Sequence, residues 1–479
     1  MRIAHIAAEC YPAAKAGGLG DVAGALPKYL QAEGHDVAVI IPGYHTKWIL
    51  EQDWEEVFST TVRMLHLHVP CRVMECNTEN LGFTLFAIDI PGFFDRPGIY
   101  MDPGSGHGYG DETERWLLFQ QAALKFIQFI GGIDILHCHD HHTGLIPFMV
   151  KHCPEYRSLA QVPTIFTIHN GQYHGSFTWD KAGLLPWYDA GARGLLEWDH
   201  VINPLATGIK CCWRLTTVSN GYLNELYFQA NGLETLLRQE AMKSVGIVNG
   251  IDSRLWDPET DPMIESHLKS DVTKYKNANR EALKKHFQIR DGVPLITFIG
   301  RLVFEKGVDL LPEAIFRFIS EGGEAAFVIL GTGEPGIRDA ILHVQHHLSG
   351  FVDTSIQYNE TLSHQLYAGS DFLVMPSRVE PCGLNQLYSF RYGTIPLVRN
   401  TGGLAETVID LSEENGNGFK FNDANSEAIS GSFHRAAALY REKKVLQKIR
   451  QHILHLDFSW EKAARHYLHV YFSVKPPSV

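Results

Sequence analysis

Short apolar runs alternate with amphipathic stretches along most of the chain. The apolar runs predict strands at residues 3–8, 37–41, 133–136, 164–168, 295–299, 372–375 and 395–398. Most of them end in a turn rich in glycine or polar residues, and a helical pattern then follows, as it does from about Glu112. This alternation is typical of parallel sheets covered by helices. It predicts an α/β fold built from doubly wound units.

A stretch rich in Asp, Pro and Lys, residues 257–292, separates two blocks of this alternation. It contains one predicted helix, around residues 279–287. Because domain boundaries often fall in such stretches, we predict a first domain over residues 1–256 and a second over residues 257–456. The chain closes with the aromatic-rich segment 457–479, where we predict a helix whose aromatic stripe is buried.

Composition excludes several classes of partner. The 479 residues carry a formal net charge of −12 and no block of Lys and Arg, which argues against nucleic acid and against an anionic membrane. The eight cysteines lack the paired spacing of a metal site. No window holds the roughly 18 uninterrupted apolar residues that would span a bilayer. We therefore expect free thiols and a cytoplasmic enzyme.

Two successive strand-to-helix turns between residues 375 and 408 give the strongest chemical signal. The first places a carboxylate directly before Pro381, and the second has adjacent glycines that let a ligand approach the backbone. Helix N-termini offer N–H groups to an anion, and a carboxylate suits sugar hydroxyls. A Glu-Pro turn alone is more often structural. Together, however, the turns predict a sugar-nucleotide site that contains Glu380, Cys382, Gly383, Thr401, Gly402 and Gly403.

Cations follow two other predicted strands. Arg301 and Lys306 bracket the turn after residues 295–299, where a planar guanidinium and an ammonium could grip a diphosphate. Lys15 stands two residues before a turn that contains Gly17, Gly18 and Gly20. The glycines alone are weak evidence, because tight packing of a helix on a strand requires them equally often. The cation beside them favours a phosphate ligand.

Histidines crowd the turn after residues 133–136. Four of them and one aspartate occupy residues 137–142, which raises a zinc hypothesis. Adjacent residues in such a turn point in different directions, and no ligand-rich partner segment follows, so we predict no metal. A further polar pair, His169 and Asn170, ends the strand at residues 164–168. Open α/β sheets bind ligands at this end of their strands, although a histidine there could instead serve only as a strand cap.

The motifs KAGGLGDV, RLVFEKG and SRVEPCGLNQLYSFRYGTIPLVRNTGGLAETV resemble those of bacterial glycogen synthases and plant starch synthases. The similarity extends over nearly the whole chain. These enzymes are retaining glucosyltransferases, and the resemblance implies the GT-B fold, in which two doubly wound Rossmann-like domains face a deep cleft. It also implies that segment 457–479 crosses back onto the first domain, that donor contacts come mainly from the second domain, and that no cofactor or metal is required.

The resemblance implies roles for the residues of this chain that stand at matching motif positions. It implies that Glu380 is held against the glucose, that Tyr358 stacks on the base, and that Tyr100 lines the acceptor channel, although Tyr100 could instead only fix its loop. The implied catalytic residues are Glu380, His169, Asp140, Arg301 and Lys306. The implied substrate-binding residues are Lys15, Gly18, Asp21, Tyr100, Asn249, Tyr358, Cys382, Gly383, Leu384, Asn385, Thr401, Gly402 and Gly403.

Three positions depart from the family pattern. His141 stands where tryptophan is usual, Glu305 where glutamine is usual, and Ala206 where lysine is usual, which raises the question whether Lys210 replaces that lysine.

We expect transfer of glucose from ADP-glucose to the non-reducing end of an α-1,4-glucan such as glycogen. The alternatives are a UDP-glucose-dependent enzyme, a catalytically weak glucan-binding paralogue, and a phosphorylase, for which no lysine lies in a pyridoxal-phosphate context. A homo-oligomer is left open.

Overall fold

The computed structural model of the protein describes residues 1–78, 80–96 and 98–475. Most of its strands alternate with helices as the sequence pattern predicts, although three consecutive strands interrupt the alternation between residues 54 and 89. In chain order the strands are β1 (Arg2–Ile6), β2 (Asp36–Pro42), β3 (Trp54–Met64), β4 (Leu67–Cys76), β5 (Thr84–Asp89), β6 (Ile135–His139), β7 (Thr164–Ile168), β8 (Glu197–Trp198), β9 (Val201–Ile202), β10 (Arg214–Thr217), β11 (Ser244–Gly246), β12 (Leu295–Ile299), β13 (Ala326–Leu330), β14 (Val352–Ser355), β15 (Phe372–Met375), β16 (Ile395–Arg399) and β17 (Phe419–Phe421).

Short 3₁₀ turns join many of the helices to the strands. The α-helices are α1 (Gly18–Ala32), α2 (Lys47–Leu50), α3 (Glu112–Ile130), α4 (Ile146–His152), α5 (Arg193–Leu196), α6 (Pro204–Cys211), α7 (Asn220–Leu226), α8 (Glu234–Gln239), α9 (Val272–Leu283), α10 (Leu311–Ser320), α11 (Pro335–His347), α12 (Glu360–Gly369), α13 (Asn385–Arg391), α14 (Gly402–Thr407), α15 (Ser426–Arg441), α16 (Lys443–Leu454) and α17 (Trp460–Phe472). Among the described residues, no helix combines the length and the apolar character needed to cross a bilayer.

The chain divides into two compact units. The first unit comprises Met1–Val218, Leu223–Ile247 and the chain from Trp460 onward, and the second comprises Ser219–Tyr222 and Val248–Ser459. Residues 248–256, which we predicted in the first domain, thus lie in the second unit. The last part of the predicted segment 457–479, residues 476–479, lies outside the described residues.

The first unit is built on a nine-stranded sheet in the order β11-β10-β7-β6-β1-β2-β5-β4-β3. All neighbours from β11 to β5 pair in parallel, whereas β4 pairs antiparallel with both β3 and β5. The order reverses between β1 and β6. In open parallel sheets, ligands bind outside the carboxyl ends of the strands at such a switch point. The glycine turn follows β1, and Asp140 follows β6.

The second unit contains a six-stranded parallel sheet in the order β14-β13-β12-β15-β16-β17. Its order reverses between β12 and β15. Arg301 and Lys306 follow β12, and Glu380 follows β15. The same topological rule therefore brings the predicted cations and the predicted carboxylate to one end of this sheet.

Helix α17 completes the core of the first unit. Its residues Trp460, Tyr467 and Tyr471 are buried in a cluster with Leu26 of α1 and Ile3 of β1. The aromatic stripe predicted from the sequence is therefore core. Burying an aromatic side chain contributes on the order of 2–3 kcal/mol, so this single helix supplies a large share of the apolar packing of this cluster.

Helix α9 lies earlier in the chain than the predicted helix at 279–287. It begins after Asp271, whose side chain accepts the main-chain N–H of Lys274 at 3.0 Å and so caps the helix. The helix also buries the polar residues Lys276, Asn279 and Arg280. Polar residues on the buried face hide the amphipathic pattern, which explains the shifted prediction.

Candidate active site

Glu380 lies in the turn after β15, and its carboxylate is almost fully buried in the second unit. Lys306 donates from Nζ to Oε1 at 2.7 Å and to Oε2 at 2.6 Å. The hydroxyl of Ser377 donates to Oε2 at 2.9 Å. Both carboxylate oxygens are thus engaged by a cation, and one is also engaged by a hydroxyl. The sequence motifs do not indicate Ser377, although it lies three residues before Glu380 in the same turn.

Lys306 reaches Glu380 because two turns pack backbone against backbone. The residue after the lysine, Gly307, has φ +64°, in the left-handed region that favours glycine. A Cβ atom at this position would lie 2.0 Å from the carbonyl oxygen of Pro376. Only glycine therefore fits between the turn after β12 and the turn after β15, and this contact holds the cation beside the carboxylate.

The turn between Glu380 and α13 presents main-chain N–H groups. Gly383 has φ +74°, and the side chain of Gln386 donates to the carbonyls of Cys382 and Gly383. Within the described part of the chain, the N–H groups of Gly383, Leu384 and Asn385 have no acceptor. From the sequence we predict that such N–H groups at the start of a helix bind a phosphate. The thiol of Cys382 is buried, and burial raises its pKa to about 12, so it stays protonated.

The second predicted turn differs from the expectation. Gly403 donates its N–H to the carbonyl oxygen of Glu380 at 3.0 Å, so this group is not free for an anion. A Cβ atom at Gly403 would lie 2.1 Å from the carbonyl oxygen of Cys382. The glycine is therefore required by close packing of the two turns. Thr401 and Gly402 lie beside it and open α14.

The remaining predicted residues of the second unit differ in exposure. Arg301 is exposed at the end of β12, and Tyr358 is 82% exposed on the loop after β14. Asn249 is buried, and its backbone hydrogen-bonds to the thiol of Cys382. Its side-chain oxygen Oδ1 is buried without a hydrogen-bond partner among the described residues. A buried acceptor of this kind is costly unless a ligand pairs with it.

In the first unit, the predicted glycine turn coincides with the start of α1, because Gly17 is the N-cap and Gly18 and Gly20 lie in the first turn of the helix. Two predicted charges flank it. Lys15 donates from Nζ to Oδ1 of Asp21 at 2.6 Å, and both side chains are partly exposed. A Cβ atom at Gly18 would meet no atom within 4 Å, whereas one at Gly20 would lie 3.1 Å from Oε2 of Glu9. Packing thus accounts for Gly20 and leaves Gly18 facing open space, as a ligand contact requires.

Asp140 follows β6 with φ +56°, which is unusual for a residue other than glycine. Its Oδ1 accepts the main-chain N–H of His169 at 2.7 Å and that of Asn170 at 3.4 Å. Burial raises the pKa of Asp140 to about 7, against the effect of these two hydrogen bonds. The side chain can therefore change its protonation state near neutral pH.

A chain of buried imidazoles leads to His169. Its Nε2 lies 3.0 Å from Nδ1 of His139, and the Nε2 of His139 lies 3.0 Å from Nδ1 of His5. Burial lowers the pKa of all three rings, so they are neutral at pH 7. His5, His137 and His139 also lie close enough to share a metal ion. However, both ring nitrogens of His137 and of His139 already have hydrogen-bond partners, which does not favour the zinc hypothesis.

Two more residues belong to this end of the first unit. The hydroxyl of Tyr100 donates to Oε1 of Glu9 at 2.6 Å, and its ring stacks on that of His142. Glu9 is 3% exposed and accepts further hydrogen bonds from the glycine turn. The sequence reading did not select Glu9. Its position just after β1, where polar residues meet ligands in such sheets, was the signal.

The three departures from the family pattern lie in different local environments. Ala206 is fully buried in α6. Lys210 does not stand free to replace a lysine there, because its Nζ donates to the carbonyls of Gly194 at 3.1 Å and Glu197 at 2.6 Å. The ring of His141 packs against Gly175, where an added Cβ would lie 2.5 Å from the ring. Glu305 is exposed, and its carbonyl accepts the main-chain N–H of Arg378.

Comparison with known proteins identifies the class of enzyme. A family model described as the starch synthase catalytic domain matches residues 2–239, and one described as glycosyl transferases group 1 matches residues 279–450. The catalytic domain of Starch Synthase IV from Arabidopsis thaliana, solved bound to ADP and acarbose, is 30% identical, with a TM-score of 0.85 over 98% of this chain and 99% of that chain. Sucrose-phosphate synthase from Thermosynechococcus elongatus, at 18% identity and a TM-score of 0.64 over the full length of both chains, shares the fold. The protein is a glycosyltransferase of the GT-B class.

Full-length relatives narrow the assignment. The chain is 44% identical to a glycogen synthase of Flavobacterium johnsoniae over 98% of each chain, and 36% identical to one of Streptococcus sanguinis over 99% of this chain and 100% of that one. It belongs to the glycogen synthase family. The resemblance noted in the sequence motifs is thereby confirmed, as is the expectation of a glucosyltransferase.

Proposed function

We propose that the enzyme transfers glucose from ADP-glucose to the non-reducing end of an α-1,4-glucan such as glycogen, with retention of configuration. The observation that carries the proposal is the grip of Lys306 on both oxygens of Glu380, beside free N–H groups of the following turn. A sugar nucleotide needs cations and N–H groups for its diphosphate and a fixed acceptor for its sugar hydroxyls. These groups stand together at one end of the sheet.

On the donor side, the N–H groups of residues 383–385 and the cations Arg301 and Lys306 bind the diphosphate. They stabilise the negative charge that grows on the leaving group, so no metal or cofactor is needed. The exposed ring of Tyr358 stacks on the base, and Oδ1 of Asn249 accepts a ligand hydroxyl. Stacking selects weakly between bases, so the preference for ADP-glucose over UDP-glucose rests on the family.

Glu380 orients the glucose and does not attack it. Its two oxygens are held by Lys306, and one also accepts from Ser377. A carboxylate neutralised in this way is a weak nucleophile, yet it remains a rigid acceptor for a sugar hydroxyl. Positioning of this kind is worth several orders of magnitude in rate when the reacting atoms are held in line.

In the first unit, Lys15 and Gly18 contact the nucleotide-sugar, and Asp21 lies beside the glucose or the acceptor. Asp140 and His169 contact sugar hydroxyls, and Tyr100 lines the acceptor channel. With a pKa of about 7, Asp140 exchanges a proton with a hydroxyl group more readily than an ordinary carboxylate does. We place the enzyme in the cytoplasm, since all eight cysteines are free thiols.

The test is polymer growth on glycogen with ADP-glucose, UDP-glucose or glucose 1-phosphate, each with and without a chelator. We expect ADP-glucose to be the best donor, growth to be insensitive to the chelator, and the new linkages to be α by NMR. Faster growth with UDP-glucose would remove the donor assignment, and growth from glucose 1-phosphate alone would point to a phosphorylase. Glu380→Ala should lose ~100-fold in turnover, and Glu313→Ala, at an exposed position of helix α10, serves as the matched control.

A further inference from the structure

Glu9 is a buried carboxylate at the carboxyl end of β1 that the proposed reaction does not use. Its Oε2 accepts the main-chain N–H of Ala16 at 2.5 Å and that of Gly17 at 2.8 Å. Its Oε1 accepts the hydroxyl of Tyr100 at 2.6 Å. One carboxylate thus satisfies three donors that come from two separate loops. A buried charge is tolerated only when it is hydrogen-bonded in this way.

The glycine turn wraps around this carboxylate. A Cβ atom at Gly20 would lie 3.1 Å from Oε2 of Glu9 and 3.2 Å from Cγ of Lys15, so the inner side of the turn has no spare room. On the outer side, Gly18 faces open space and the ammonium of Lys15 reaches Asp21. The contact with Glu9 therefore sets which side of the turn is presented outward.

The second loop is held by the same group. Burial raises the pKa of Tyr100 well above its usual value, and the charge of Glu9 raises it further, so the hydroxyl remains a donor. The Tyr100 ring stacks on His142 with a centroid separation of 5.1 Å. His142 lies in the turn that Asp140 opens after β6. Glu9 thus links the turn after β1 to the loop packed on the turn after β6, on both sides of the switch point.

We propose that Glu9 is a positioning residue for catalysis, which holds the Lys15 turn and the Tyr100 loop in their reactive arrangement. This inference rests on the proposed function, because it acts through Lys15. Without the Glu9 carboxylate, the N–H groups of Ala16 and Gly17 would be solvated, and the turn would sample other conformations. A displacement of about 1 Å in a reacting group can cost on the order of 100-fold in rate.

The experiment compares Glu9→Ala, Glu9→Asp and Glu9→Gln, with Glu33→Gln on the same unit as a control for loss of a surface carboxylate. Gln can still accept both N–H groups through its oxygen and donate to Tyr100, so it should retain most of the turnover. Asp is too short to reach both loops and should lose roughly tenfold or more in turnover, as should Ala. Glu9→Asp keeps the test decisive even if the Ala variant fails to fold.

A second readout does not depend on activity. Hydrogen exchange at the amides of Ala16 and Gly17 should accelerate in the Asp and Ala variants and stay slow in the Gln variant. Combined with Lys15→Gln, Glu9→Asp should add less to the loss of turnover than it causes alone, because the part of its effect that acts through Lys15 is already gone. Fully additive losses, or wild-type turnover in Glu9→Asp, would overturn the proposal. If the wild type does not extend glycogen with any of the donors, the proposed function fails. Unchanged hydrogen exchange in Glu9→Asp would instead overturn the positioning role itself.

Discussion

Replacement of Lys306 by Gln removes the only cation that contacts Glu380 among the described residues. Nζ of Lys306 lies 2.7 and 2.6 Å from the two carboxylate oxygens, and the carboxylate is 8% exposed. Breaking a fully buried pair costs about 3–5 kcal/mol, because one charge is left without its partner. The Lys306 side chain is 26% exposed, and Ser377 remains as a donor, so we expect a smaller loss, on the order of 1–2 kcal/mol.

The measurement is a double-mutant cycle by chemical denaturation of the wild type, Lys306→Gln, Glu380→Gln and the double variant. In the double variant no charge is left unpaired, so its loss of unfolding free energy should be smaller than the sum of the single losses by about 1 kcal/mol or more. Calorimetry should show weaker ADP binding to Lys306→Gln. Additivity within roughly 0.3–0.5 kcal/mol would refute the claim that the two side chains depend on each other.

Four further predictions follow from the site. Glu380→Ala should lower turnover by ~100-fold with little change in ADP affinity, because it removes the group that positions the glucose and leaves the diphosphate contacts. Equal losses in initial rate and in calorimetric ADP affinity would contradict this. Lys15→Gln should lower turnover by roughly 30- to 150-fold at nearly constant stability, as one charge-assisted contact is lost; full activity would make the turn merely structural. The pKa of Asp140 is raised from 3.8 to about 7 on folding, so the folded state binds this proton more tightly and stability is lost as pH rises from about 4 through 7. Denaturation of Asp140→Asn should lack that part of the pH dependence, and parallel pH profiles would show that Asp140 does not titrate as described. Finally, Nε2 of His5 is buried without a partner, and an orphaned N–H is costlier than an orphaned lone pair. Neutron diffraction should therefore show the protons of His5, His139 and His169 on Nδ1, which leaves His169 an N–H donor toward its ligand; a proton on Nε2 of His169 would reverse that assignment.

Much of the fold follows from local pattern. The strands at 164–168, 295–299 and 372–375 have the predicted bounds, because each is a short apolar run that a clear break ends, at His169, Gly300 and Pro376 respectively. The parallel order and the switch points then follow from the rules of doubly wound sheets. The hairpin formed by β3 and β4 was not predicted, because its burial pattern alternates only weakly and its pairing with β5 is set by tertiary contacts.

The candidate site was less predictable than the fold. Lys306 and Glu380 were each selected from their own turn, yet their direct contact depends on the close approach of Gly307 to Pro376, which no local pattern reveals. Gly403 was selected as a phosphate donor, and its N–H instead binds the carbonyl of Glu380. Glu9 was passed over because a single carboxylate after a strand has no distinguishing motif, and its importance is evident only from the loops that converge on it.

The return of the chain to the first unit through α17 affects how the protein is made. Residues 1–247 leave the ribosome before α17, the helix that covers Ile3 and Leu26, has been made. The Tyr471 hydroxyl, which pairs with Nδ1 of His137, is also still missing. At ~5–20 residues per second, synthesis of the intervening second unit takes on the order of ten seconds or more. Throughout that interval an apolar face of the nascent first unit is uncovered, so it is then a target for chaperones. We therefore expect an expression fragment of this unit to be more stable with α17 joined to it by a linker than without it.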